Sequence, residues 1–302
     1  MRIVFMGTPE FAGKSLERLY ADGCEIVGVF TQEDKPRNRG MNMSFSPVKE
    51  LALSHGTPVF QPSTLRDGDS VRTLKELRCD LVALVAYGMM LPKELLDAPP
   101  LGCINIHGSL LPKYRGPSPI QYAVLNGDKE TGVTSMYISE KMDSGDILLT
   151  KKTMIGDEET SGELFERLSV LGSELLSETV DAISTGQAKR IPQNNEEATY
   201  TALLTKSMSP IDWNKSAFEI KCKVRGLQPW PVATMEIRGN ILKVFSVDIE
   251  YKNTGKHPGS IISSGKSGIE VACADGSVMI KELQAPGGKR MSAVEFLRGN
   301  PL

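Results

Sequence analysis

The chain has 302 residues, 40% hydrophobic and 24% charged, with a formal net charge of −2; this is ordinary for a globular protein and long enough for two domains, each with its own core. No stretch approaches the roughly 18 uninterrupted apolar residues of a membrane span. Met1-Arg2-Ile3-Val4-Phe5 also runs almost directly into Gly7-Thr8-Pro9, without the features of a signal peptide, so a cytoplasmic protein without membrane contact is expected. Five Cys, at 24, 79, 103, 222 and 273, include no C-x-x-C pair, which argues against a disulfide framework and against structural zinc; each reads as a small core hydrophobe and no metal is expected.

In chain order, Arg2 to Met6 is an apolar run that ends in Gly7-Thr8-Pro9, and Phe11, Leu16 and Leu19 then recur at helical spacing. Glu25 to Thr31 reads as a second strand. A dinucleotide fingerprint would need G-x-G-x-x-G after the first strand; Gly7-Thr8-Pro9-Glu10-Phe11-Ala12-Gly13 lacks the middle glycine, and Pro9 fits the first turn of a helix. Gln32 to Phe45 is a polar insertion too long for a simple connection, and its Lys35, Arg37 and Arg39 suit either a solvated loop or fingers for a phosphate backbone.

Amphipathic stretches at Pro47 to Ser54 and Val71 to Leu77 alternate with buried-strand candidates at Leu81 to Ala86 and Gly102 to Ile106. This alternation predicts an α/β fold with a doubly wound, mostly parallel sheet, whose ligands lie beyond the carboxyl ends of the strands, where Ala86-Tyr87-Gly88 and His107-Gly108-Ser109 fall. A helix over Ser161 to Ser184 carries an apolar face of Leu164, Leu168, Leu171, Leu175 and Leu176. The catalytic domain is placed at 1–189, a linker at 190–206 and a second domain at 207–302. That last region has five short β-like runs punctuated by Gly, Asn and Asp, which suggests an OB-like barrel. It carries 13 Lys and Arg against 9 Asp and Glu, and a basic domain suits an RNA substrate. Trp213 and Trp230, beside proline punctuation, read as packing anchors ahead of base-stacking platforms.

The chemistry-bearing residues are Asn105, His107 and Asp143. Asn105 and His107 are two apart at a strand end and leave the same face, within reach of one substrate oxygen. An amide N–H and an imidazolium can stabilise the oxyanion formed when an amine attacks a carbonyl, and a carboxylate can hold the imidazole and manage its proton. Acyl-group transfer is the reaction such a set suits.

The wording around these residues is distinctive. Asn105-x-His107, Ser109-Leu110-Leu111-Pro112-Lys113-Tyr114-Arg115-Gly116, Pro119-Ile120-Gln121, Thr131-Gly132-Val133-Thr134 and Asp143-Ser144-Gly145-Asp146 together resemble the 10-formyltetrahydrofolate-dependent formyltransferases. Met6-Gly7-Thr8-Pro9-Glu10-Phe11-Ala12, Ser46-Pro47-Val48-Lys49, Ile211-Asp212-Trp213 and Gln228-Pro229-Trp230-Pro231 are similar to the branch that formylates methionyl-tRNA, and the resemblance covers essentially the whole chain. It implies transfer of a formyl group from 10-formyltetrahydrofolate to the free α-amine of methionyl initiator tRNA. Asn105 and His107 would stabilise the oxyanion and Asp143 would orient His107. The resemblance further implies pterin contacts from Ala86, Tyr87, Gly88, Met89, Met90, Leu91 and Pro92 and from Ser109, Leu110, Leu111 and Pro112. It implies tRNA contacts from Lys35, Arg37 and Arg39, and a monomer is expected.

Two departures, Pro117 after the Arg-Gly pair and Gly226-Leu227-Gln228 before Pro-Trp-Pro, leave the catalytic residues untouched. A formyltransferase for a small amine, such as glycinamide ribonucleotide or an amino sugar, would share Asn105, His107 and Asp143; the basic insertion and the C-terminal region discriminate against it. A non-catalytic RNA-binding protein on the same scaffold is disfavoured by the intact trio.

Overall fold

The computed structural model describes residues 1–37, 42–252 and 254–302, with only the backbone of 35–37, 42 and 43. The chain divides into two compact units: Met1–Gly116, Thr131–Thr153 and Phe165–Tyr200 form unit 1, and Pro117–Glu130, Met154–Leu164 and Thr201–Leu302 form unit 2.

The elements begin with β1 (Arg2–Gly7), α1 (Glu10–Ala21), β2 (Glu25–Phe30), β3 (Lys35–Arg37), β4 (Asn42–Ser44), α2 (Pro47–Ser54), β5 (Val59–Phe60), α3 (Asp69–Glu76), β6 (Leu81–Val85), α4 (Lys93–Leu96) and β7 (Cys103–His107). There follow α5 (Pro119–Leu125), β8 (Glu130–Tyr137), β9 (Ile147–Met154) and α6 (Ser161–Ser184). Unit 1 is built on a sheet of order β5-β2-β1-β6-β7-β8-β9, in which β5 through β7 are parallel and β8 runs antiparallel to β7. The expected mostly parallel α/β sheet is present.

Local sequence explains the framework. Every residue of β6, Leu81-Val82-Ala83-Leu84-Val85, is buried, as a central strand covered on both faces requires. Pro9 stands at the N-cap of α1, where its carbonyl accepts from the Ala12 and Gly13 amides and its missing N–H leaves no bond unmade. Ser46 caps α2 by accepting the Lys49 amide. On one face of β7, Ile106 lies against α6, close enough that a Cβ on Gly172 would stand 3.2 Å from it. Alternation along the strand therefore turns Asn105 and His107 to the opposite face, with Cys103.

The strand β8 was not among the expected elements, because its sequence Glu-Thr-Gly-Val-Thr-Ser-Met-Tyr is half polar. It is nevertheless buried from Thr131 to Met136, since its hydroxyls find partners: Thr134 donates to the Ser109 carbonyl and Ser135 bonds to Thr179. The insertion expected as a loop contains a short antiparallel ladder of β3 and β4, in which Lys35 faces Ser44 and Arg37 faces Asn42. Arg39 and Gly40 lie outside the described residues.

Unit 2 contains α5, α7 (Ala217–Gly226), β10 (Ala233–Ile237), β11 (Asn240–Glu250), β12 (Ile261–Gly265), β13 (Gly268–Cys273), β14 (Gly276–Gln284), β15 (Met291–Ser292) and α8 (Ala293–Gly299). Its strands are antiparallel, in the order β10-β11-β14-β13-β12, with β15 on β14. Ile220, Val224, Leu242, Val244, Ile269, Ile280 and Leu283 fill the core. Trp213 packs against that core, whereas Trp230 is half exposed. Both α7 and α8 start with capping boxes, Ser216 with Glu219 and Ser292 with Glu295.

The five cysteines are free; Cys79, Cys103, Cys222 and Cys273 are buried as expected of core residues, whereas Cys24 is only half-buried, and burial pushes the Cys103 thiol up and the Cys79 thiol up to about 11. Among the described residues no helix is long and apolar enough to cross a membrane, and no three His, Cys, Asp or Glu gather as a metal site.

Candidate active site

Parallel pairing sets Leu84 beside Asn105, so the segments leaving β6 and β7 are neighbours at the carboxyl edge of the sheet. The residues singled out in the sequence meet there. His107 is buried, and its Nε2–H donates to the Tyr114 carbonyl at 2.9 Å. Its Nδ1 faces Asp143 Oδ2 across 3.8 Å, an ion-pair distance too long for a hydrogen bond. The ring is thus held by a backbone carbonyl on one side and faces the Asp143 carboxylate on the other. With Nε2–H committed to Tyr114, Nδ1 is the atom left for chemistry: a lone pair in the neutral ring, a donor in the protonated one.

Asp143 is held separately. Its Oδ2 accepts the Gly116 amide at 2.8 Å, and its backbone lies at φ 49°, in the left-handed region that residues with a Cβ rarely adopt. The glycine two residues on has a steric reason: a Cβ on Gly145 would stand 1.8 Å from the Tyr137 carbonyl oxygen. Asn105 completes the trio. Its Oδ1 is buried with no hydrogen-bond partner, a state that costs roughly 1–3 kcal/mol and that an N–H from a bound ligand would relieve.

The segments expected around a ring ligand are placed as follows. Ala86, Gly88 and Met90 are exposed, Met89 and Pro92 are half-buried, and Leu91 is buried. Tyr87 turns its side chain wholly into the core, where burial raises its hydroxyl to about 12 and leaves it without a partner, so only its backbone can serve a ligand. Gly88 has φ 83°, and a Cβ there would meet the Gln32 amide at 2.5 Å. Ser109 donates to the Lys113 carbonyl at 2.7 Å and its own carbonyl accepts from Thr134 at 2.6 Å, so its side chain is a structural pin. Leu110 and Pro112 are half-buried beside buried Leu111.

Residues 1–180 match the model of a family described as formyl transferase, and residues 203–301 match that of the formyl transferase C-terminal domain. The chain belongs to the formyl transferase family. Within it, the chain is 47% identical over 302 residues to the methionyl-tRNA formyltransferase of Alkaliphilus oremlandii, covering 100% of this chain and 97% of that protein. It is likewise 47% identical to the methionyl-tRNA formyltransferase of Acetivibrio thermocellus, over 99% of this chain and 97% of that one. Among solved structures, the fold is similar to the N-formyltransferase of Helicobacter canadensis in complex with folinic acid and dTDP-3-aminofucose, with a TM-score of 0.72 at 18% identity, covering 96% of this chain and 99% of that one. It is also similar to HypX of Aquifex aeolicus in complex with tetrahydrofolic acid, with a TM-score of 0.62 at 19% identity; 98% of this chain matches, and it spans about half of HypX, 47% of that chain.

Sequence reasoning missed three contributors to the geometry of this candidate site. The Tyr114 carbonyl and the Gly116 amide are backbone atoms, and no residue type announces them, although the Tyr-Arg-Gly wording marked the turn. Gln193 lies inside the stretch expected as a linker, yet its amide donates to the carbonyls of Asp143 at 3.0 Å and Gly145 at 2.7 Å.

Gly145→Ala has no room for its methyl beside the Tyr137 carbonyl, so the variant is expected to lose about 1–3 kcal/mol of stability, a fall in Tm of roughly 2–5 °C. Differential scanning calorimetry checks this; an unchanged Tm would show that the Asp143 turn is not sterically fixed.

Proposed function

We propose that the chain transfers the formyl group of 10-formyltetrahydrofolate to the free α-amino group of methionyl initiator tRNA, acting as a monomer in the cytoplasm. The observation that carries this reading is the meeting of Asn105, His107 and Asp143 at one sheet edge in a chain 47% identical, end to end, to a methionyl-tRNA formyltransferase. The exposed backbone of Ala86 and Gly88 and the unsatisfied Asn105 Oδ1 fit the edge of a folate, with Met89, Met90, Leu91 and Leu110 to Pro112 beside it.

Bound 10-formyltetrahydrofolate supplies an activated formyl carbonyl. The Asn105 amide N–H and the His107 Nδ1–H, in the doubly protonated ring, donate to the carbonyl oxygen as it gains negative charge. The amine nitrogen forms the new C–N bond to give the oxyanion, the C–N10 bond then breaks as the carbonyl re-forms, and the one proton the amine gives up equals the one N10 takes. Asp143, held by the Gly116 amide, accepts that proton from the amine and releases it on the leaving side. Because the amine attacks directly, no covalent enzyme intermediate is formed.

The tRNA contacts are assigned to Lys35 and Arg37 on the short ladder, to Arg39, and to the basic region 207–302. A small-amine acceptor has less in its favour, because the relatives at 47% identity over the whole chain are methionyl-tRNA formyltransferases, and one phosphate or diphosphate would not call for both a basic insertion and a basic C-terminal region.

Asn105→Ala and His107→Ala are each expected to lower kcat about 10²–10³-fold, since both donors act mainly in the transition state; KM for tRNA stays within about threefold in both, as does KM for folate in His107→Ala, whereas Asn105→Ala also raises KM for folate because its Oδ1 meets the folate edge. Radiolabelled formyl transfer to methionyl initiator tRNA, with free methionine and glycinamide ribonucleotide as competitors, measures this; near-normal turnover in either variant would refute the oxyanion assignment. Replacing Lys35, Arg37 and Arg39 together with Ala should lower kcat/KM for tRNA, leave folate binding intact, and flatten the log–log salt dependence by roughly 0.7–0.9 for each phosphate that the protein no longer neutralises. Parallel salt curves with equal rates would make these residues ordinary surface charges.

A further inference from the structure

Asp143 needs a reason to stay in the left-handed region, and the Gly116 bond to its carboxylate does not fix its backbone. The Gln193 amide does. Its Nε2 donates to the carbonyl of Asp143 itself at 3.0 Å and to that of Gly145 at 2.7 Å, closing the Asp-Ser-Gly turn from outside. An amide can present either its oxygen or its nitrogen, and the choice here is made by Arg115. That guanidinium, on a residue only 2% exposed, donates to Gln193 Oε1 from Nε at 3.1 Å and from Nη2 at 2.7 Å, and to Asn195 Oδ1 at 2.9 Å. A cation on one side and two carbonyls on the other permit a single orientation of the amide, because reversal would aim N–H groups at the guanidinium and an oxygen at the carbonyls.

Arg115 is also tied to the other partner of the site. It stands between Tyr114, whose carbonyl holds His107, and Gly116, whose amide holds the Asp143 carboxylate. The Arg115 amide itself donates to the Thr199 carbonyl at 2.8 Å, and the Tyr114 amide to the Thr199 hydroxyl at 2.8 Å. Residues 193–199 thus bridge the two turns that carry the imidazole and the carboxylate.

We propose that Arg115 and Gln193 are positioning residues for formyl transfer: the arginine sets the orientation of the Gln193 amide, the amide locks the Asp143 turn, and the turn aims the carboxylate at the amine beside His107. This rests on the reading of Asp143 as the group that takes the amine's proton. Neither residue need touch substrate.

The test is a double-mutant cycle on the full chain, with 10-formyltetrahydrofolate and methionyl initiator tRNA as substrates. Gln193→Glu keeps an acceptor for Arg115 but turns a carboxylate oxygen toward the two carbonyls, and Gln193→Ala removes both functions. Each is expected to remain folded, with KM for both substrates within about threefold, and to lower kcat about 10–100-fold by misplacing the carboxylate. In the Asp143→Asn background the same changes should lower the remaining rate by less than about threefold, because the group they position has already lost its function. If Asp143→Asn keeps the wild-type rate, the reading of the reaction falls and the inference with it. If Asp143→Asn loses rate but the Gln193 variants are as active as the wild type, or their losses multiply in full with that of Asp143→Asn, only the positioning role is overturned. Loss of the folded state in both Gln193 variants would overturn it too, since the amide would then hold the fold and not the carboxylate.

Discussion

One turn of backbone, Tyr114-Arg115-Gly116, places a carbonyl on His107 Nε2 and an amide on Asp143 Oδ2, and the geometry of the site depends on that pair of hydrogen bonds. Backbone dipoles suit this task. They do not titrate or rotate away, so the imidazole and the carboxylate are set 3.8 Å apart before any substrate arrives, and little reorganisation is left for the moment of reaction. Each bond contributes only about 1 kcal/mol to stability, so their value lies in placement more than in holding the fold.

The turn is where it is because of the sheet beneath it. β7 is the last parallel strand, and its antiparallel partner β8 brings Thr134 opposite His107. The Thr134 hydroxyl donates to the Ser109 carbonyl and accepts the Leu111 amide, and Ser109 in turn pins the Lys113 carbonyl. A short series of hydroxyl contacts therefore carries the chain from the strand end to the Tyr114 carbonyl. The same edge holds the segment leaving β6, where Ala86 and Gly88 both take positive φ and present exposed backbone. The candidate side chains and the segment leaving β6 come together because adjacent parallel strands end at one level.

Much of this was legible in the sequence, and the exceptions have physical causes. The period of two along Gly102 to His107 was enough to put Asn105 and His107 on one face, and continuous apolar runs marked β1, β2 and β6. Helix α6, Ser161–Ser184, is legible to its end residues, its leucines recurring at helical spacing from Leu164 to Leu176. β8 escaped notice because buried threonines and serines look like surface until their partners are known. Gln193 escaped for a different reason: it lies 78 residues from Arg115 and 50 from Asp143, and no local pattern encodes contacts across that separation. The capping boxes of α7 and α8 were present as Ser-x-x-Glu, but short helices of modest amphipathicity give little periodic signal to confirm them.

The most direct test of the Tyr114–His107 arrangement is a long-range ¹H–¹⁵N correlation spectrum of the imidazoles, which identifies the protonated nitrogen of each ring. The chain has three histidines, at 55, 107 and 257, and the two others provide an internal contrast, since their Nδ1 atoms face the carbonyls of Leu51 and Pro258. His107 is expected to show the opposite pattern, with Nε2 protonated and Nδ1 carrying the lone pair in its neutral form, and Nε2–H retained on Tyr114 when the ring takes its second proton. A neutral His107 with its proton on Nδ1 would mean that the Tyr114 carbonyl does not orient the ring, and the account of how the site is set would be wrong.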